Sequence, residues 1–152
     1  MGDDDLVSRL GRGRHPERPL QRTPPPGTAA AGDPAVVDAL GKLSAALEVV
    51  EEARGLLYAF HRRSGEADLG LQDALAALRA CGGDAATVAG DVDAAVVGRD
   101  THPGGWTYQL VEFFDDTYWS AFRDAEQHAR DRLAGGVPHL FEARLQHEEW
   151  QG

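Results

Sequence analysis

Apolar residues recur at intervals of three and four along most of this chain, and that spacing fixes the fold class. Leu40, Leu43, Leu47, Val50 and Leu57 form one stripe. Leu71, Leu75, Leu78 and Cys81 form a second, and Val88, Val92 and Val96 a weaker third. A fourth runs through Val111, Phe114, Tyr118, Phe122, Ala125, Ala129 and Leu133. Such intervals place side chains on one face of a helix. Apolar and polar residues nowhere alternate over the length of a strand. The expectation is an all-α protein, an irregular bundle of four to five helices with a disordered N-terminal head.

Punctuation residues set the expected boundaries. Asp33-Pro34 suits a helix start, with Asp as N-cap and Pro in the first turn. The first helix is expected over residues 34–64 with Gly65 as its stop, and Arg54 and His61 interrupt its stripe. Asp68 caps a second helix that ends at Gly82-Gly83, and Asp84 caps a third that ends at Gly98. A loop from Arg99 to Gly105 leads to a fourth helix from about Thr107 to Leu133, stopped by Gly135-Gly136. Pro138 opens a fifth in which Phe141 and Leu145 face inward. The stripe places Cys81 as a small buried thiol, and as the single cysteine it leaves no intrachain disulfide.

Charge narrows the partners. The net charge is −10, and all of that excess lies beyond residue 34. An acidic surface repels a phosphate backbone, so the domain is not expected to bind nucleic acid. No run of residues is long and apolar enough for a membrane span. The N-terminus opens on Asp3-Asp4-Asp5 with no apolar core of a signal peptide, which makes the cytoplasm the expected compartment. Residues 1–33, with Thr23-Pro24-Pro25-Pro26-Gly27 and scattered Arg, hold too few apolar side chains to offset their ordering entropy. They are read as a disordered head, and residues 34–152 as the helical domain.

Seven of the eleven aromatic residues fall between Trp106 and Phe122. The Gly/Pro loop ahead of them carries Arg99 and His102. Arg99, the N–H groups of a helix start, and walls of Trp106 and Tyr108 form a candidate site for a small anion, with His102 on the rim and Glu112 orienting Arg99. The competing account makes Arg99 and Glu112 a structural ion pair.

Two acidic triplets share one spacing: Glu48-x-x-Glu51-Glu52 and Glu112-x-x-Asp115-Asp116. On helices each triplet clusters its carboxylates, and Glu48, Glu51, Glu112 and Asp115 on facing helices can hold a divalent cation. The pattern resembles the ExxE and ExxD pairs of the all-alpha nucleoside triphosphate pyrophosphatases, and the resemblance implies magnesium and hydrolysis of a nucleotide. It departs from that family in order, because two predicted helices separate the motifs. Two carboxylates ~6 Å apart repel by roughly 0.7 kcal/mol in water and about 3 kcal/mol at an effective dielectric near 20. Solvated, the triplets need no ligand; turned inward, they need metal, protons or Arg54. A carboxylate-histidine metal site needs more than His139-x-x-Glu142 and His61 supply. No serine triad, Walker loop, dinucleotide fingerprint or zinc spacing is present.

The runs Val97-Gly98-Arg99-Asp100, Trp106-Thr107-Tyr108-Gln109-Leu110-Val111-Glu112, Tyr118-Trp119 and Pro138-His139-Leu140-Phe141-Glu142-Ala143 resemble a group of small actinobacterial helical proteins with no assigned activity. Tyr58-Ala59-Phe60-His61 ahead of Ala67-Asp68-Leu69 adds to it. That resemblance spans roughly residues 40–150 and implies no cofactor.

Three functional expectations follow. The first is a cytoplasmic binding or interaction module, without cofactor, taking a small anion at Arg99 and Trp106. The second is a magnesium-dependent nucleotide hydrolase. The third is a homodimer, because Trp119 and Trp150 lie off the stripes.

Overall fold

The structure is a computed structural model that describes Leu20, residues 22–96 and residues 103–152. Every regular element among the described residues is helical, as the periodicity requires. In chain order these are α1 (Ala29–Gly32), α2 (Pro34–Cys81), α3 (Gly83–Val96), α4 (Pro103–Phe114), a π-helical turn (Asp115–Trp119), α5 (Ser120–Ala134) and α6 (Leu140–Gln151). None of the described helices is long and apolar enough to cross a membrane.

α2 replaces two expected helices. Asp33 caps it as expected, its Oδ1 accepting the Ala35 N–H at 2.9 Å. Gly65 does not stop it. Leu57 and Leu75 are eighteen residues apart, five turns at 3.6 residues per turn, so the two apolar stripes are one. Half-buried positions 57, 61, 64, 68 and 71 carry the packed side of the helix past Gly65 to Leu75, and that packing offsets the ~1 kcal/mol that a mid-helix glycine costs. Chain reversal waits for Gly82 and Gly83, both at positive φ, values that favour glycine. Cys81 sits at this exposed end and is not a buried thiol.

The chain divides into two compact units, Met1–Ser44 with Glu126–Gly152, and Ala45–Ala125. In the first, Ala30, Val37, Ala134 and Leu140 form a buried cluster, with Val36, Leu40, Val137 and Phe141 packed against it. Part of the expected head belongs to this unit. The Leu20 N–H donates to Gln146 Oε1 at 2.6 Å, Arg22 Nη1 donates to the Pro138 carbonyl at 3.1 Å, and Ala30 is buried. The disorder expected for residues 1–33 therefore fails over 22–33, where proline and alanine pack without needing long side chains; residues 1–19 and 21 lie outside the described residues. Glu126 is buried and accepts from Ser44 Oγ at 2.8 Å, with Arg130 Nη2 at 3.3 Å. Gly135 and Gly136 close α5, and the Gly136 N–H reaches back to the Arg130 carbonyl. α6 begins after His139, which adopts left-handed backbone; it buries Leu140 and Ala143, while Leu145, expected inside, is exposed.

The second unit contains the remainder of α2, α3, α4, the π turn and the first residues of α5. Leu75, Ala89 and Thr107 are completely enclosed, and Val50 and Val111 nearly so. Arg79 and Asp93 pair across α2 and α3. α4 runs antiparallel to α2, since Phe60 meets Trp106, His61 meets Thr107, and Arg54 meets Asp115.

The expected fourth helix starts earlier and is interrupted. Pro103 takes the first turn, so Gly104-Gly105 belong to α4 and not to a preceding loop. The π turn then bonds i to i+5 and adds about one residue to the helical phase. That extra residue rotates the buried face. Glu126 and Ala134 are buried, whereas Ala125 and Leu133, expected inside one position earlier, are exposed.

Candidate functional site

At the loop-to-helix junction the described residues begin with Pro103. Arg99 and His102 lie outside the described residues. Trp106 stands edge-on to Phe60, with ring centroids 5.8 Å apart, and Tyr108 is tilted against His61 at the same separation. The residue between them, Thr107, is enclosed, and its Oγ1 lies 2.8 Å from His61 Nδ1. Trp106 and Tyr108 thus leave opposite flanks of α4 and do not wall a common pocket. Glu112 is exposed.

The acidic triplets meet a different partner from the expected cation. Arg54, one of the two interruptions in the α2 stripe, grips Asp115 with both arms. Its Nε donates to Oδ1 at 2.7 Å and its Nη2 to Oδ2 at 3.0 Å. Tyr58 OH, one turn along α2, donates to Oδ2 at 2.6 Å. The Arg54 guanidinium lies 4.0 Å from the Trp119 ring centroid, and Arg123 covers the same ring at 4.7 Å. Trp119 Nε1 donates to Glu51 Oε1 at 2.7 Å. Both Asp115 and Trp119 belong to the π turn, whose wider winding brings them to α2 together. Glu48, Glu51, Glu112 and Asp115 do not converge, and no three His, Cys, Asp or Glu among the described residues form a metal-holding group. The reason is electrostatic. A guanidinium already satisfies the inward carboxylate, and Glu48 and Glu112 remain in solvent.

This clamp is structural in character. The Arg54 hydrogen bonds hold the Asp115 carboxyl below its usual 3.8, with Tyr58 helping, and desolvation opposes them. The hydrogen bond to Asp115 is also the main cause that raises the Tyr58 phenol above its usual 10.0. Arg54 is raised further above the ordinary guanidinium range by the same partner. Asp115 is held more firmly as the carboxylate and Tyr58 as the neutral phenol, each pKa moved further from neutral pH, so neither group is poised for proton transfer. An open groove beside the clamp is lined by Glu51, Arg54, Gly55, Tyr58 and Arg62.

The sign of the Asp115 effect gives a pH prediction. A carboxyl whose folded pKa lies below its unfolded value stabilises the fold above the unfolded value, near 3.8, and that stability is lost as pH falls through the folded pKa. Urea midpoints of the parent should therefore fall more steeply between pH 5 and pH 2.5 than those of Asp115→Asn. Parallel curves would show that the clamp adds nothing to stability.

The flank of this helix pair opposite the clamp is apolar. Leu56 lies two residues from both Arg54 and Tyr58, about 160° around the helix. With Val49, Ala53 and Phe60 it forms a second stripe at spacings of four, three and four. On α4, Trp106, Leu110 and Phe113 repeat the arrangement, and the Phe60–Trp106 contact joins the two rows. Val49, Leu56 and Phe113 are 64 %, 65 % and 69 % exposed, and Phe60, Trp106 and Leu110 lie between 42 % and 44 %. From the usual size of such side chains the bare surface is roughly 600 Å², at the upper end of what monomers show.

Of these residues only Trp106 was singled out by sequence. The signal was present as a 4-3-4 spacing in phase with, but offset from, the main stripe. Trp119, expected at an interface, is instead half-buried under Arg54 and Arg123, while Trp150 is exposed. No protein-family model matches the chain, no curated protein matches it, and no solved structure matches it.

Proposed function

We propose that this protein is a cytoplasmic helical interaction module that docks an apolar helical surface on the Val49–Phe60 and Trp106–Phe113 face. One observation carries the reading: Leu56 and Phe113, on adjacent helices of one unit, are about two-thirds exposed, at 65 % and 69 %. Isolated exposed apolar residues are common and need no explanation, but a contiguous row on two helices is the mark of a surface that is covered in use. The clamp of Arg54, Tyr58 and Asp115 supports the reading by fixing the two helices from the opposite side. It keeps the face preorganised, which lowers the cost of binding.

The catalytic alternative is less well supported. Its four carboxylates are dispersed, and the one turned inward is fully engaged by Arg54 and Tyr58. The anion alternative retains Trp106, Tyr108 and Glu112, which leave α4 on different sides.

An interaction face and a core face respond differently to charge. Leu56→Glu and Phe113→Glu should each leave the urea unfolding free energy within about 0.5 kcal/mol of the parent when measured at low protein concentration. Both should also reduce the binding of a hydrophobic dye to the native protein. A loss of several kcal/mol in either variant would make the face part of the fold's own interior and end the proposal.

A further inference from the structure

Resting on that reading, we infer that the occupant of the face is a second copy of this chain, paired antiparallel about a two-fold axis. Area, symmetry and charge converge on this partner.

Two copies of a face of this size together remove roughly 1,200 Å² from water, which reaches the range of stable interfaces. A smaller peptide ligand would leave much of the two-helix row bare.

The pattern is also self-complementary. On α4, Trp106 and Phe113 stand four and three residues to either side of Leu110. A two-fold axis at Leu110 therefore sets Leu110 on its own copy and each Trp106 against the other copy's Phe113. α2 runs antiparallel beside α4, and the Phe60–Trp106 and Arg54–Asp115 contacts put the level of Leu110 between Arg54 and Phe60. An axis there sets Leu56 against the second copy's Phe60. Closed isologous pairing of this kind uses one patch twice and leaves no open end.

Charge selects the direction. Glu52 and Arg63 both flank the α2 stripe on its outer edge. They are eleven residues apart, close to three full turns, and so share one side of the helix. Antiparallel pairing brings each Glu52 beside the second copy's Arg63, twice by symmetry. The alternative two-fold, which sets α2 over the other copy's α4, brings Glu52 to the level of Asp116 and juxtaposes like charges. Arg63 makes one described contact, a 2.6 Å pair with Glu66 in which both side chains are largely exposed, and such a pair is readily shared. The pair at the rim sets register and direction, while the buried row supplies the affinity.

The test uses the full chain at physiological salt. Sedimentation equilibrium should show a dimer at micromolar concentration, and Leu56→Glu with Phe113→Glu should render it monomeric. In a Cys81→Ser background, a spin label at Ala74→Cys should report a distance of about 50 Å between copies, from sixteen residues either side of the axis at 1.5 Å each. Arg63→Glu alone should raise the dissociation constant roughly three- to tenfold, and Glu52→Arg combined with Arg63→Glu should restore it. A parent that stays monomeric at 100 micromolar, a protein concentration roughly a hundredfold above a micromolar dissociation constant, overturns this inference. The interaction-face reading would then still stand or fall on the stability of Leu56→Glu. A dimer with a short Ala74 distance, or without charge-swap recovery, overturns the antiparallel arrangement. A dimer that survives both glutamates overturns the face itself.

Discussion

Leu75→Ala should lower the unfolding free energy by about 2–5 kcal/mol, the range found when a leucine is cut back in a packed interior. Leu75 is the largest completely enclosed side chain among the described residues. The second unit has few others to share the load, with Ala89 and Thr107 enclosed and Val50 and Val111 close to it. A domain of this size holds only about 5–15 kcal/mol in total, so the loss removes a large part of the margin. Leu69, six residues earlier on the same helix and 68 % exposed, provides the control. Leu69→Ala should change stability by no more than about 0.5 kcal/mol. Urea unfolding followed by circular dichroism compares the two directly. Equal losses would contradict the enclosure of Leu75 and the exposure of Leu69.

Two glycines of α2 should respond to alanine with opposite signs. Replacing a helical glycine by alanine usually stabilises by roughly 0.5–1 kcal/mol, because the unfolded chain loses freedom. Gly55 has nothing within 4 Å of an added Cβ, so Gly55→Ala should show that gain. Gly41 does not have the space. A Cβ there would stand 2.6 Å from Phe141 Cγ and 2.7 Å from Phe141 Cβ. The nearer part of the phenylalanine side chain cannot swing away without moving α6, and Phe141 packs on the Ala30, Val37, Ala134 and Leu140 cluster. Gly41→Ala should therefore destabilise by about 1–3 kcal/mol, the usual cost of overpacking. Thermal melts of the two variants should shift in opposite directions. A gain at Gly41 would show that α6 can move away from α2 at little cost.

The helical class was legible because three-and-four spacing survives almost any tertiary context. Boundaries were legible only where the backbone itself demanded them. Gly82-Gly83 and Gly135-Gly136 adopt positive φ and end helices as expected. Gly65 was misread because a glycine that stays helical looks the same in sequence as one that turns. The long-range phase match between Leu57 and Leu75 was the information that distinguished them. The Arg54–Asp115 clamp was half legible. An inward carboxylate on the second triplet required a cation, and Arg54 was one of the candidates. That Tyr58 and Trp119 would complete the set depended on the π turn, which no residue pattern announces. The apolar face escaped because its stripe shares helices with the core stripe. Periodicity finds both but does not say which one is covered by the same chain.

The π turn has a consequence for how the sequence tolerates length changes. A π turn holds one residue more than an uninterrupted α-helix would at that place. Remove a residue, Thr117 for instance, and a plain helix from Pro103 to Ala134 becomes the natural geometry, with Glu126 and Ala134 still turned inward. Keep every residue but wind the turn as plain α-helix, and every position beyond would rotate by about 100°. Ala125 and Leu133 would take the inward places now held by Glu126 and Ala134. The segment thus encodes two overlapping hydrophobic reading frames, one apolar and continuous, the other centred on a buried glutamate. The present frame keeps Glu126 with Ser44 and Arg130, and keeps Asp115 with Arg54. One residue of slack in the backbone decides between a purely greasy seam and a polar, directional one.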